Sequence, residues 1–230
     1  MILVPILVPV LKCNQLLVGS IVMKKEFWHK KWQSNEIGFN QPKPNQLMQR
    51  YFPELNLKPG SRIFVPLCGK SIDILWLAGQ GYKVIGVELS QSACKAFFKE
   101  NKISVKIKES SDFVAYMSDE ITLLSGDFFS LDKNTLGKVD AVYDRAALIA
   151  LPSELRQLYS RHMIELFDED TKGLLITTSY DETQMQGPPF SIGEKEVNAL
   201  YGAHLDIKQV YSKPVNEIPM HLTHLTHETR

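Results

Sequence analysis

Cysteine is scarce in this chain: Cys13, Cys68 and Cys94 are the only three, with no CxxC pair and no even count. That excludes a disulfide framework and a thiolate zinc site, and it makes a reducing cytoplasm the expected compartment. Neither sign of charge is in excess, since lysine plus arginine and aspartate plus glutamate number 26 each. There is no basic field to draw nucleic acid and no acidic tail, so the expected partner is a small molecule. Long apolar runs are also missing. Met1 to Leu11 reads MILVPILVPVL, but Pro5 and Pro9 break it and Lys12, Asn14 and Gln15 follow. It is too short for a spanning helix and lacks the basic start of a secretory signal, so no membrane attachment is expected. Met23 reads as the initiator, which makes 1–22 an apolar extension, 23–211 one domain and 212–230 a polar tail. In that tail His221, His224 and His227 have no cysteine or carboxylate at ligand spacing beside them, and no metal is expected.

Glycine fingerprints are absent where they are most tempting. Gly69, Lys70 and Ser71 spell the end of a phosphate loop, but the required earlier glycine is replaced by Phe64. The dinucleotide pattern fails as well, because Gly79 and Gly81 follow the helix instead of opening it. What remains is a strand, helix, strand unit from Ser61 to Ser90. Arg62 to Pro66 is one apolar run, Leu67 to Lys70 a turn, Ser71 to Gly79 a helix, and Tyr82 to Leu89 a second run carrying Glu88. This acid stands 19 positions after Gly69 (88 minus 69). That spacing is where a carboxylate grips a ribose diol; a solvated acid ending a strand is the plainer alternative.

Elsewhere Phe27, Trp28, Lys31 and Trp32 share one face of a short helix, which packs on the core or forms a lid over a flat ligand, with Phe39 in the apolar turn that follows. Ser90 caps a helix bearing Ala93, Ala96 and Phe97. The segment from Lys102 to Glu120 reads as an exposed strand, an insertion and a turn. Ile121 to Leu124 is a strand ending near Asp127 and Phe128, an acid for an adenine amino group and a ring for its face. Val139 to Tyr143 is a strand followed by Asp144 and Arg145, a charged pair at its carboxyl end. Ser153 to Phe167 is an amphipathic helix, Leu174 to Ser179 a core strand, Pro188, Pro189 and Phe190 a stiff turn, Glu194 to Tyr201 a helix and Leu205 to Tyr211 a strand.

The pieces FWHKKW, VPLCGKSIDILWLA, GYKVIGVELS, GDFFSL, YDRAALIALP and SYDETQMQGPPFSI, in that order over Phe27 to about Tyr211, resemble the thiopurine S-methyltransferase family, bacterial type. The resemblance implies an α/β, Rossmann-like class I methyltransferase fold. Its central sheet would be mostly parallel with helices on both faces, and the closing antiparallel strands look incomplete after Tyr211. It implies S-adenosyl-L-methionine as cofactor, contacted by Trp28, Trp32, Leu67, Gly69, Glu88, Asp127, Phe128 and Arg145. Substrate contacts carry over to Phe39, Arg145, Pro188, Pro189 and Phe190. Arg145 would be the principal catalytic group, orienting substrate and favouring its thiolate, with Asp144 a weaker candidate for proton handling. A monomer that methylates a small-molecule thiol is expected. The alternatives are another soft nucleophile (halide, hydrosulfide, or a selenium or tellurium oxyanion, as in metalloid detoxification) and a truncated, non-catalytic cofactor-binding protein.

Overall fold

The computed structural model describes residues 25–34, 36–214 and 227–229. Two compact units are defined by their internal contacts, 1–37 and 38–230. In the first, helix α1 covers 25–33. Phe27 meets Trp28 edge to face at 5.2 Å, Lys31 lies over the Phe27 ring, and the same lysine pairs with Glu36. Trp28 and Trp32 are four positions apart and so share a face of α1. The expected extension 1–22 and the histidines at 221 and 224 lie outside the described residues.

The second unit is an α/β sheet. Helix α2 (Gln46–Tyr51) precedes strand β1 (Arg62–Val65), helix α3 (Asp73–Gly79) and strand β2 (Lys83–Glu88). Helix α4 (Gln91–Glu100) leads to the antiparallel hairpin β3 (Lys106–Glu109) and β4 (Phe113–Met117), then to β5 (Ile121–Gly126) and a short α5 (Lys133–Leu136). Strand β6 (Ala141–Arg145), helix α6 (Ser153–Leu166), strand β7 (Lys172–Thr178) and helix α7 (Glu194–Tyr201) follow. Two three-residue strands close the order, β8 (Ser212–Pro214) and β9 (His227–Thr229).

The strand order is β3-β4-β5-β2-β1-β6-β7-β9-β8. The pairs β5–β2, β2–β1, β1–β6 and β6–β7 are parallel, and the pairs toward either edge are antiparallel. Burial explains the arrangement. Ile63, Phe64, Val65, Val84, Ile85 and Val87 are at most 5% exposed, as expected for central parallel strands covered on both faces. Each large side chain so buried contributes roughly 1.5–3 kcal/mol. The outermost hairpin strand β3 reads Lys-Ile-Lys-Glu and is exposed throughout, a charged edge that discourages pairing with another sheet.

Local signals placed the helices well. The Ser90 hydroxyl accepts from the Ala93 N–H, and α4 buries Ala93, Cys94, Phe97 and Phe98 along one side. Helix α6 buries Leu155, Tyr159, Met163 and Leu166 at spacings of four, four and three, one helical stripe.

Two expectations are corrected at the carboxyl end. Leu205 to Tyr211 is not a strand: residues 206–211 make no ladder, and the segment is fixed instead by Tyr211, whose ring lies 5.9 Å from that of Tyr51. The edge of β7 is taken by β9, with Thr177 opposite Thr229 and Thr178 opposite Glu228. The polar tail thus supplies β8 and β9, which pair with each other from Ser212–Thr229 to Pro214–His227.

Candidate active site

Because β5, β2, β1 and β6 run parallel, their carboxyl ends emerge along one edge. Strand β1 is central, and the chain leaves it for β2 on one side and reaches β6 on the other. This is the switch point at which open α/β sheets bind ligands. Across that edge stand, in order, Asp127 after β5, Glu88 ending β2, the turn Pro66–Gly69 after β1, and Arg145 ending β6.

Glu88 is tied to its surroundings through both carboxylate oxygens. Oε2 accepts from the Gly69 N–H at 2.9 Å and Oε1 from the Ser90 N–H at 2.7 Å. Burial raises its pKa above the ordinary carboxylate value, while backbone N–H groups of Ser90, Gly69 and Leu89 pull the other way. A carboxylate offers about four acceptor positions, so the two bonds to Gly69 and Ser90 leave capacity for a ligand's hydroxyls. The turn beside it departs from ordinary backbone: Leu67 has φ 44° and Gly69 φ 55°, and the Cys68 N–H donates to the Val87 carbonyl at 2.9 Å. Glycine adopts such a φ freely; a leucine there is strained by about 1 kcal/mol or more. The turn is therefore held by β2 in a shape its own sequence resists.

Arg145 and Asp144 diverge. The Arg145 side chain, 13% exposed, donates from Nε to Asp73 Oδ2 at 2.7 Å and from Nη2 to the Ser71 hydroxyl at 3.4 Å. Burial opposes its charge, but Asp73 and Tyr143 outweigh that and raise its pKa. Asp144 faces away from this set. It is 4% exposed, and its carboxylate accepts from the Tyr159 hydroxyl at 2.8 Å and the Leu148 N–H at 3.2 Å. Burial pushes its pKa up to about 6. The geometry gives it the task of fastening β6 to α6, not of meeting a substrate.

At β5 the Asp127 carboxylate accepts from the Phe129 N–H at 3.1 Å and caps a short 3-10 turn. Phe128 does not offer its ring to a ligand. It is 3% exposed, with Tyr159 and His162 each 4.9 Å from its ring centre, so the expected stacking face is already covered by α6.

The turn Pro188, Pro189, Phe190 is anchored beside β6. The Phe190 N–H donates to the Ile149 carbonyl at 2.7 Å, and the Tyr180 hydroxyl donates to the Pro189 carbonyl. The Arg156 guanidinium lies 5.8 Å from the Phe190 ring, paired with Glu196 at 2.6 Å and donating to the Leu151 carbonyl at 3.0 Å. Phe39 lies half-buried in the turn that opens the second unit. Trp28 and Trp32 belong to the first unit.

Sequence reasoning missed Asp73, Tyr159 and Arg156. An acid between Ile72 and Ile74 in an apolar run is a signal for a buried, partnered carboxylate, and it was available for Asp73. Tyr159 stands on the apolar stripe of α6, but that spacing does not show that its hydroxyl meets a carboxylate, and Arg156, next to Leu155, lies off the stripe with no signal of its own.

Comparison with known proteins bears on this edge of the sheet. The family model for thiopurine S-methyltransferase matches residues 23–225, beyond the stretch of Phe27 to Tyr211 that carried the resemblance. A thiopurine S-methyltransferase of Psychrobacter cryohalolentis is 48% identical over 199 residues, 84% of this chain and 90% of the relative. Another, from Nitrosospira multiformis, is 50% identical over 186 residues, covering 81% and 84%. Among solved structures, an SAM-dependent methyltransferase from Anabaena variabilis shares the fold with a TM-score of 0.61 at 14% identity, over 89% of this chain and 92% of that one. With its parallel sheet, its acid at the end of β2 and a match over most of its length, the chain belongs to the thiopurine S-methyltransferase family.

Proposed function

We propose that the chain is an S-adenosylmethionine-dependent S-methyltransferase acting on thiopurines or other aromatic and heterocyclic thiols, with residues 23–211 as its catalytic core and β8 and β9 completing the sheet. The observation that carries the reading is the Glu88 carboxylate, buried, pinned to the Gly69 and Ser90 N–H groups, and retaining acceptor capacity beside the strained turn. A ribose diol fits that carboxylate, and the Leu67 to Gly69 backbone fits the amino acid end of the same cofactor. Bound S-adenosylmethionine supplies a methyl group on a sulfonium, an electrophile that a thiolate attacks in line.

The chain's own residues then have distinct tasks. Glu88 accepts from the ribose hydroxyls, and Asp127 with the Phe128 backbone borders the adenine. For Trp28 and Trp32 it is the family resemblance alone that supports a role as cofactor contacts. Arg145 lies at the opposite side of the β1 turn from Glu88 and holds the substrate sulfur as its anion, because a nearby guanidinium lowers a thiol pKa. Heteroaromatic thiols are already acidic, so no dedicated base is required. Phe39 and the Pro188, Pro189, Phe190 turn supply the apolar and aromatic walls that orient a flat ring, and orientation alone can lower such a barrier by several kcal/mol. Asp144 acts from behind, by fixing the strand that presents Arg145.

We also infer a cytoplasmic monomer that binds no nucleic acid, on the balanced charge and on the two described cysteines, which are free and buried. No helix among the described residues is long and apolar enough to cross a membrane. Side-by-side turnover on 6-mercaptopurine, iodide, hydrosulfide and tellurite tests the substrate class. The thiopurine is expected to have the highest kcat/KM, and a higher value for any of the inorganic nucleophiles overturns the assignment and moves the chain toward halide or metalloid methylation.

A further inference from the structure

Asp73 is fully buried at the first turn of α3, and three donors converge on its carboxylate. Oδ1 accepts from the Asn45 N–H at 2.8 Å; Oδ2 accepts from the Tyr143 hydroxyl at 2.9 Å and from Arg145 Nε at 2.7 Å. A buried carboxylate is expensive unless satisfied, and here every bond serves a piece of the site. Asn45 caps α2 with its own side chain, through the Met48 N–H at 3.0 Å, and closes the segment that begins at Gly38 and Phe39. Tyr143 and Arg145 are on β6, two apart and therefore on the same face of the strand.

The consequence for Arg145 is directional. An arginine side chain has many rotamers, and its guanidinium presents donors in a rigid fork. With Nε spent on Asp73 and Nη2 near the Ser71 hydroxyl, the plane of the group is fixed by the β1–α3 turn. Among the described residues, the side-chain partners of Arg145 are Asp73, Ser71 and Tyr143. The Nε and Nη2 edge of the fork is thus committed to the protein.

We propose that Asp73 is a positioning residue for the reaction: it aims the Arg145 guanidinium at the substrate sulfur and, through Asn45, ties that aim to the placement of the Phe39 segment. This rests on the function proposed above. Asp73 meets neither substrate nor cofactor and acts through Arg145, which gives it a signature that a general packing role lacks.

The test is a double-mutant cycle on the full chain with Asp73→Asn, Arg145→Ala and the double variant, reading kcat and KM for 6-mercaptopurine together with S-adenosylhomocysteine affinity by calorimetry. Asparagine keeps the shape and the bond to Asn45 but turns a donor toward Arg145. Loss of a hydrogen bond to a charged group predicts a fall in kcat/KM of about tenfold to a hundredfold for Asp73→Asn. Calorimetric affinity should stay within about twofold, and Asp73→Asn should cause no further loss in the Arg145→Ala background, as for two residues that act as one unit. Equal losses in both backgrounds, or an unchanged kcat/KM, overturn the proposal. A second measurement does not depend on how the Asp73 variant folds. In the unsubstituted chain, an arginine Nε–H NMR resonance protected from exchange, and lost in Arg145→Lys, is expected; its absence contradicts the pairing in solution. An unsubstituted chain inactive on 6-mercaptopurine overturns both this inference and the proposed function. An active chain with an additive cycle overturns this inference alone.

Discussion

Asp144 and Arg145 are adjacent in sequence and opposite in environment. Successive residues of a strand point to opposite faces, so one carboxylate goes to Tyr159 under α6 while the next side chain goes to Asp73 on α3. The charged pair at the end of this strand was legible in the sequence, and so was its place at the carboxyl edge of the sheet. Which of the two faces led to the site was not, because alternation gives only the opposition and the neighbours on each face come from helices remote in sequence. The same limit hid the Phe128 ring, whose covering residues Tyr159 and His162 lie more than thirty positions on. Two measurements follow at this scale. Arg145→Ala should lower kcat/KM on a thiopurine by about tenfold or more, on the loss of a charged hydrogen bond to the thiolate, as steady-state kinetics will read. For Asp144 the folded pKa of about 6 lies above the ordinary 3.8, so its contribution to stability is full below pH 3.8 and is lost as pH rises through 6. The gap of about 2 units corresponds to roughly 3 kcal/mol. Comparing denaturant melts of the unsubstituted chain and Asp144→Asn at pH 4 and pH 7.5, the variant should gain relative stability at the higher pH by up to that amount; a pH-independent difference contradicts the buried carboxylate.

Elements were legible where their hydrophobic pattern and caps agreed. The Ser61 to Ser90 unit, the Ser90 cap, α6 and α7 stand within a few residues of their expected places, because their apolar patterns, and for α4 the Ser90 cap, agree with the tertiary contacts. The hairpin β3 and β4 was harder, since an exposed charged strand leaves no pattern to read, and Leu205 to Tyr211 failed because an alternating segment becomes a strand only when a sheet edge is open to it. Gly86 shows how closely the elements of the site are fitted. A Cβ there would stand 2.7 Å from Cys68 Sγ and 2.9 Å from a Leu123 methyl. Gly86→Ala should therefore destabilise the chain by about 1–3 kcal/mol. At roughly 2–4 °C per kcal/mol for a chain of this size, a calorimetric melt will resolve it. The Phe190 turn depends on α6 in a comparable way. Arg156→Leu removes the cation over that ring, and the KM for a thiopurine should rise by roughly twofold to thirtyfold on the scale of a cation–π contact. Affinity for S-adenosylhomocysteine should stay unchanged, because the turn serves the substrate side.

At the scale of the molecule, one side of β1 holds a carboxylate pinned by backbone and the other holds a guanidinium pinned by a carboxylate, and the strained turn between them belongs to both. The sheet order makes that juxtaposition possible, since β2 and β6 flank β1 and all three end at the same edge. The balanced charge leaves recognition to these local groups rather than to a long-range field. The most direct measurement is calorimetric titration of the full chain with S-adenosylhomocysteine, alongside Glu88→Gln checked for folding by its melt. One site per chain is predicted, with the dissociation constant raised about tenfold or more in the variant for loss of charge-assisted hydrogen bonds. No binding by the unsubstituted chain, or equal affinity in the two proteins, would contradict the assignment of this edge as the cofactor site.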